Sequence, residues 1–481
     1  MKSKTTILVL LVVWAAFFQK KATAQDLAIV NTTVIDATGR DARANMTILI
    51  TDGIITGIRP VNKVKLAPET RIIDGKGKYV IPGLWDMHVH NASDSLFCTL
   101  MVANGVTSVR EMLGPKTSYS YQLEWRNQIR RKQITGPHIY IPMAALGPLQ
   151  NWGGVTVSTE QEAIDFVKEC KRLNVDFIKV FDLYDEKVIT TLLHEAKKEG
   201  IRVGGHCPLS LNAGDAAEAG LGTMEHTYEM LVSSSSQEDS IRAYLEREAS
   251  IVHESKGKLM RLLYFVSSPD VLKTYDHAKA ARLFERLKAS GNYQCPTLFI
   301  FDGQLKGMHR DTSDVEGIKY VKDDCRNGWK TFYSRLTNPT KPSDYEQIRK
   351  INENKYELVR AMNKMGIPFL AGTDVGSGCT HLYMVPGFSL HAELCCLVKA
   401  GLSPMQALQA STRNAAAALG VLDKTGTLET GKCADLVVLN ENPLKNIGNT
   451  RKIYAVINDG TYLSRSDLDN LLNKAYRTVH P

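Results

Sequence analysis

His88 and His90 stand one residue apart at the end of the apolar stretch "KYVIPGLWDMHVH". Side chains at i and i+2 of a strand point to the same side, so as a strand this run sends both imidazoles, with Asp86, toward one place. Farther along, Lys179 lies in "DFIKV", His206 ends "VGGH", His226 ends "TMEH" and Asp374 ends "LAGTD". Imidazole nitrogens and a carboxylate suit zinc and related divalent ions. A lysine ammonium cannot be a ligand, but carbamylation by CO2 converts it into an anionic carboxylate on a long arm that can bridge two metals. A water bridging two cations loses a proton near neutral pH and becomes a nucleophile. Asp374 beside it would accept that proton and later pass it to a leaving amine, with Glu225 and His381 as the alternative bases.

These residues need elements to carry them. Between about 83 and 420, apolar strand-like runs recur at "LWDMHVH", "VTSVREM", "HIYIPM", "DFIKVF", "IRVGGH", "LGTMEH", "QCPTLF" and "IPFLAGTD". Helical stretches such as "STEQEAIDFVKECKRLN" separate most of them. Eight strands with helical connections specify an α/β fold, a (β/α)8 TIM barrel, more economically than an open sheet. The long polar connections after strands six and seven read as insertions that cover the site. "SPMQALQASTRNAAAALG" reads as one closing helix, with Ser403 as N-cap, Pro404 at its first position and Gly420 past its end.

Singly, each polar residue has a blander reading: a hydrogen-bonded histidine, a salt-bridged lysine, a turn aspartate. Their conjunction decides the matter, because they fall at the ends of different strands. Barrel enzymes assemble their sites from the C-terminal ends of strands.

The two chain ends differ from the middle. "LAIVNTTVID", "MTILITDGIITGI" and "RIIDGKGKYV" near the start, and "ADLVVLNENP" and "KIYAVINDGTYL" near the end, read as short strands with Asp52-Gly53 and Asp459-Gly460 at hairpin turns. They predict a small β-sandwich domain built from both ends, over residues 25–82 and 421–481, flanking a hydrolase barrel over 83–420.

Residues 1–24 read as a signal peptide. Lys2 and Lys4 precede an apolar run from Ile7 to Phe18, and Ala22-Thr23-Ala24 gives an A-x-A cleavage pattern. The run is short against the ~20 residues of a membrane span. The expectation is therefore an exported protein, periplasmic or secreted, with no stable membrane span after cleavage. Cleavage removes four lysines and no acid, taking the formal charge from +8 to +4. With no basic block interleaved with aromatics, nucleic acid is not indicated as a partner. The nine cysteines show no C-x-x-C spacing, which excludes a zinc ribbon, and most read as core fillers. Composition leaves monomer and homo-oligomer alike open.

The set "VIPGLWDMHVH", "GVTSVRE", "DFIKV", "GGH", "MEHT", "GTD" and "GTLETGKCADLVVLNENPL" resembles the amidohydrolase superfamily over nearly all of the mature chain. The nearest branch resembles the imidazolonepropionase-like and Xaa-Pro dipeptidase-like exported hydrolases. The resemblance implies one metal on His88, His90 and Asp374 and a second on His206 and His226. Carbamylated Lys179 would lie between two divalent ions, by expectation zinc. One departure is "VRE": relatives usually carry Arg-Asp, so Glu111 leaves Arg110 with a structural salt bridge as its default role.

These readings imply hydrolysis of an amide C–N bond, in a dipeptide or N-acyl amino acid as the small-molecule substrate. A cyclic amide or a lactone on the same site is the alternative. A different class, an exported binding protein without catalysis, should have lost a ligand or Asp374, and none is missing. Tyr228, two residues beyond His226, is a candidate donor to the scissile carbonyl or to a substrate carboxylate, against a packing role.

Overall fold

The computed structural model describes residues 26–112, 118–147, 154–181, 185–252, 265–308, 315–336, 342–377 and 383–481. The signal-peptide reading and His381 lie outside these residues. Among the described residues no helix is long and apolar enough to cross a membrane.

Strands β1 (Leu27–Val34), β2 (Arg43–Thr51), β3 (Ile54–Pro60), β4 (Arg71–Asp74) and β5 (Tyr79–Pro82) come from the start of the chain. They share a mixed sheet with β15 (Leu436–Leu439), β16 (Ile453–Asn458) and β17 (Thr461–Leu463) from its end, in the order β17-β16-β15-β5-β1-β2-β3 with β4 also on β1. Hydrogen bonding thus joins both chain ends in one sheet, where two facing sheets were expected. The hairpin turns arise because Asp52 (φ 51°) with Gly53 and Asp459 (φ 48°) with Gly460 all take the left-handed conformation of a two-residue loop.

The middle of the chain is parallel. One sheet runs β14 (Val375–Gly376), β6 (Leu84–His90), β7 (Val106–Glu111), β8 (His138–Tyr140). The other runs β13 (Tyr293–Cys295), β12 (Leu221–Glu225), β11 (Val203–Gly205), β10 (Phe177–Val180), β9 (Pro142–Leu146). Only Ile141 separates β8 from β9. Helices α1 (Ser95–Ala103), α2 (Tyr119–Arg130), α3 (Glu160–Leu173), α4 (Glu186–Glu199) and α5 (Ala213–Ala219) alternate with the strands. The amphipathic α3 and α4 bury Phe166, Val167, Leu192 and Leu193 in the same core as Val109, Ile178, Val180 and Val203. Thr159 and Glu162 form a capping box that fixes the start of α3.

Two expected elements differ. The run 367–374 is strand-like over little of its length, and regular pairing is confined to Val375–Gly376. Its backbone is nonetheless tied on both sides. Gln294 N donates to Pro368 O (3.0 Å), Leu370 N to Gln294 O (2.8 Å) and Met87 N to Ala371 O (2.9 Å). Closeness here requires glycine: a Cβ at Gly372 would stand 2.8 Å from His88 Cβ and 2.5 Å from Cys295 Sγ. The closing helix is two helices, Pro404–Ala410 and Arg413–Ala418. Ser403 and Pro404 start the first as expected, but the backbone breaks at Ser411 and Thr412. There Ser411 Oγ donates to Trp85 O (2.7 Å) and Ser411 O accepts from Trp85 N (2.8 Å), drawing the chain onto β6.

Helix α6 (Tyr228–Ser233) follows β12, and α7 (His277–Ala289) leads toward β13. Helices α8 (Leu298–Met308) and α9 (Pro342–Lys364) belong to the long connection after β13. The seventh apolar run therefore divides at Cys295, with "LF" of "QCPTLF" already helical. The buried Cys98, Cys170, Cys207, Cys295 and Cys396 are core thiols, whereas Cys325 is disulfide-bonded.

Candidate metal centre

The end of β6 presents His88 and His90 to Asp374. His90 Nε2 lies 2.7 Å from Asp374 Oδ1, and His88 Nε2 lies 3.3 Å from the same oxygen. The aspartate is aimed by a left-handed backbone (φ 66°), with its own N–H donating to His88 O (2.7 Å). Left-handed geometry strains a residue with a side chain and persists only where surroundings enforce it.

His226, after β12, is also left-handed (φ 65°), as is Thr227 (φ 58°). Its ring centre lies 4.7 Å from that of His88 and 4.8 Å from that of His206. The structure therefore brings the four histidines and Asp374 together. Lys179 on β10 is fully buried, its Nζ 4.7 Å from the Phe181 ring centre. Phe181 in turn meets the His206 ring edge-on at 5.0 Å. His206 follows Gly205 (φ +147°), where a Cβ would come within 2.1 Å of Val180 O. Tyr228 opens α6 with its ring 5.2 Å from His226 and 6.4 Å from His206.

Residues behind the candidate ligands hold them in place; the sequence marks Arg110 for a salt bridge and Glu225 only as an alternative base, and does not single out Thr297 or Lys355. His88 Nδ1 lies 2.9 Å from Glu225 Oε2. Arg110 Nη2 donates to Glu225 Oε1 (2.6 Å), and its Nε and Nη1 donate to Met87 O and Thr223 Oγ1. Burial pushes Glu225 upward, yet Arg110 and His88 hold it well below the usual carboxylate range. Burial likewise lowers His88 to about 3, so its imidazole is neutral. A neutral ring beside an ionised carboxylate donates from Nδ1 and leaves the Nε2 lone pair facing Asp374. Arg110 thus has the salt bridge expected of it, and Glu225 is engaged on both oxygens, by His88 and by Arg110. Glu111 accepts from the Asn91 and Ala92 amides and shapes the turn after His90.

Asp86 accepts from Thr373 N (3.0 Å), Thr373 Oγ1 (2.7 Å) and His88 N (3.3 Å), so it orients the segment bearing Asp374. Burial raises it to about 7. Thr297 Oγ1 holds His226 Nδ1 at 2.7 Å. Lys355, on α9, is almost fully buried, and burial lowers it to about 7.

The donor set fits a divalent ion. Atoms of His88, His90 and Asp374 lie within 4.8 Å of one another, and the lone pair of His88 Nε2 faces a carboxylate oxygen, an arrangement a cation would satisfy. A second such group, His88, Glu225 and Cys295, does not fit. Its histidine and carboxylate already serve each other, and burial raises the Cys295 thiol well above its ordinary range.

The chain belongs to the amidohydrolase family, whose sequence profile matches residues 79–463. It is 39% identical over 85 residues to an imidazolonepropionase of Symbiobacterium thermophilum, spanning 18% of this chain and 19% of that one. With an imidazolonepropionase of Mesorhizobium japonicum it shares 37% identity over 175 residues, 36% of this chain and 38% of the relative. Among solved structures it is similar to a bottromycin amidohydrolase, with TM-score 0.69, 21% identity and coverage of 94% and 90%. It is also similar to a Xaa-Pro dipeptidase with bound methionine, with TM-score 0.62, 18% identity and coverage of 91% and 99%. Family and structural likeness together support a TIM-barrel-type fold.

Proposed function

We propose that this protein is a metal-dependent amidohydrolase that cleaves a C–N bond in a dipeptide or N-acyl amino acid. The observation that carries this reading is the convergence of His88, His90 and Asp374 at the end of β6, with His206 and His226 alongside. We read the parallel sheets as one closed barrel on the strength of the backbone bonds from Gln294 and Met87 to 368–371, with the two chain ends as a separate β domain.

His88, His90 and Asp374 would hold one divalent ion and His206 and His226 a second, both by expectation zinc, with carbamylated Lys179 between them. Bound there, the ions would polarise the scissile carbonyl and lower the pKa of a water. Asp374 accepts the proton that the attacking water loses and delivers it to the departing amine nitrogen, so the carboxylate ends the cycle as it began. Burial keeps His88 neutral, and Glu225, held ionised by Arg110, accepts its Nδ1 proton in a hydrogen bond so that Nε2 points forward. The Tyr228 hydroxyl donates to the carbonyl oxygen as negative charge grows on it, or to a substrate carboxylate.

A cyclic amide is the second reading, favoured by the stretches shared with relatives named imidazolonepropionase. Export is supported by the disulfide at Cys325, since such bonds persist in oxidising compartments. Assay of the zinc-loaded protein against dipeptides, N-acyl amino acids and cyclic amides tests the proposal. Turnover of the first two classes is expected, and turnover of cyclic amides alone would replace the reading with the second.

A further inference from the structure

Lys355 is the buried cation that the chemistry above leaves unused. It comes from α9, in the connection after β13, 129 residues from His226 in sequence. Its side chain is 2% exposed in company with three groups. Nζ donates to His226 O (3.0 Å) and lies 4.6 Å from the Tyr228 ring centre and 4.0 Å from that of Phe301. Among the described residues no carboxylate pairs with it. An apolar side chain would fill this space between two aromatic faces without the desolvation of an ammonium. What an apolar side chain cannot do is donate to the His226 carbonyl.

That carbonyl sits in a turn with two consecutive left-handed residues, His226 (φ 65°) and Thr227 (φ 58°). Neither is glycine, so the surroundings must hold the turn. Two neighbouring helices do so from opposite ends of His226. Lys355 of α9 takes its carbonyl, which the Thr227 hydroxyl of the turn itself also meets at 2.6 Å, and Thr297, just before α8, takes its ring nitrogen at 2.7 Å. The helices are themselves joined, by Asn352 Nδ2 to Phe301 O (2.7 Å) and Tyr356 Oη to Asp302 Oδ2 (2.9 Å). We propose that Lys355 is a positioning residue for His226: its ammonium fastens the left-handed turn and so sets the imidazole over the site, coupling the insertion to metal retention. This rests on reading His226 as a ligand of a two-metal centre.

The test compares wild type with Lys355→Met, Lys355→Gln and Lys355→Arg after chelation and reloading with Co2+. Ions per chain, the visible cobalt absorption and the melting of the metal-free proteins are measured beside kcat and KM. Wild type should hold about two ions, and Lys355→Met and Lys355→Gln about one, with an altered cobalt spectrum. In both variants kcat should fall about ten- to a hundred-fold at little-changed KM. Lys355→Arg, which keeps a donor between the rings, should recover the second ion. If Lys355→Met does not fold, Lys355→Gln gives the same readout, because its amide nitrogen ends one atom short of the lysine Nζ that meets the His226 carbonyl. Two ions with a wild-type spectrum in either neutral variant would overturn the assignment, as would a rise in KM alone, which would give the ammonium to substrate binding. A wild-type count of one ion faults the two-metal reading by itself. In that case an altered spectrum in Lys355→Gln still supports the Lys355 assignment, and an identical one overturns it.

Discussion

His88 Nδ1 lies 2.9 Å from Glu225 Oε2, joining the ends of β6 and β12 beneath the candidate metal centre. The pair fixes which nitrogen of His88 carries the proton. The opposite nitrogen then faces Asp374, and the guanidinium of Arg110 keeps the carboxylate ionised.

Glu225→Gln should therefore weaken metal binding or activity by about ten- to a hundred-fold, because the amide no longer draws the Nδ1 proton. Arg110→Met strands a buried carboxylate and should cost about 3–5 kcal/mol in denaturant unfolding. Wild-type metal affinity in Glu225→Gln, measured by competition with a chelator, would remove the positioning role.

Metal content distinguishes the two-metal reading from simpler ones. Purified protein should hold about two divalent ions per chain. Lys179→Ala should lose metal and nearly all activity, and added short-chain carboxylic acids should restore part of both by standing in for the carbamate. Normal turnover in Lys179→Ala would make the lysine structural.

Asp374→Asn should lower kcat by about a hundred- to ten-thousand-fold, since an amide neither takes the water's proton nor binds a cation as well. Loss of only a few-fold in steady-state assays of the metal-loaded variant would move the base elsewhere.

Tyr228→Phe should keep the metals and the fold but reduce kcat/KM by about ten- to a thousand-fold. A change confined to kcat assigns the hydroxyl to the transition state, and one confined to KM assigns it to substrate binding. Unchanged kinetics on the best substrate would leave Tyr228 a packing residue against Phe301 and Lys355.

Much of the site was legible because barrel strands are short and their polar ends stand out against apolar bodies. His88, His90, Lys179, His206, His226 and Asp374 were each readable at such an end, and the hairpins at Asp52-Gly53 and Asp459-Gly460 were readable from turn chemistry alone. These signals are local: alternation, a glycine before a ligand, a polar residue closing an apolar run.

Tertiary structure alone decided who meets whom. His90 and Asp374 are 284 residues apart, His88 and Glu225 137, and His226 and Lys355 129. Nothing in the periodicity of α9 distinguishes Lys355 from the solvent-facing lysines of the same helix, because helical pattern reports burial only for apolar residues. A buried charge is identified by its partners, and those arrive from distant turns. The break at Ser411 and Thr412 has the same origin: locally the segment favours one helix, but hydrogen bonds to Trp85 divert it. Sequence by itself set the residue types that could bind metal and the strands that carry them. Packing between distant segments set the neutral His88, the strained turn at His226 and the orientation of Asp374, because each depends on groups that only the folded chain brings within hydrogen-bonding distance.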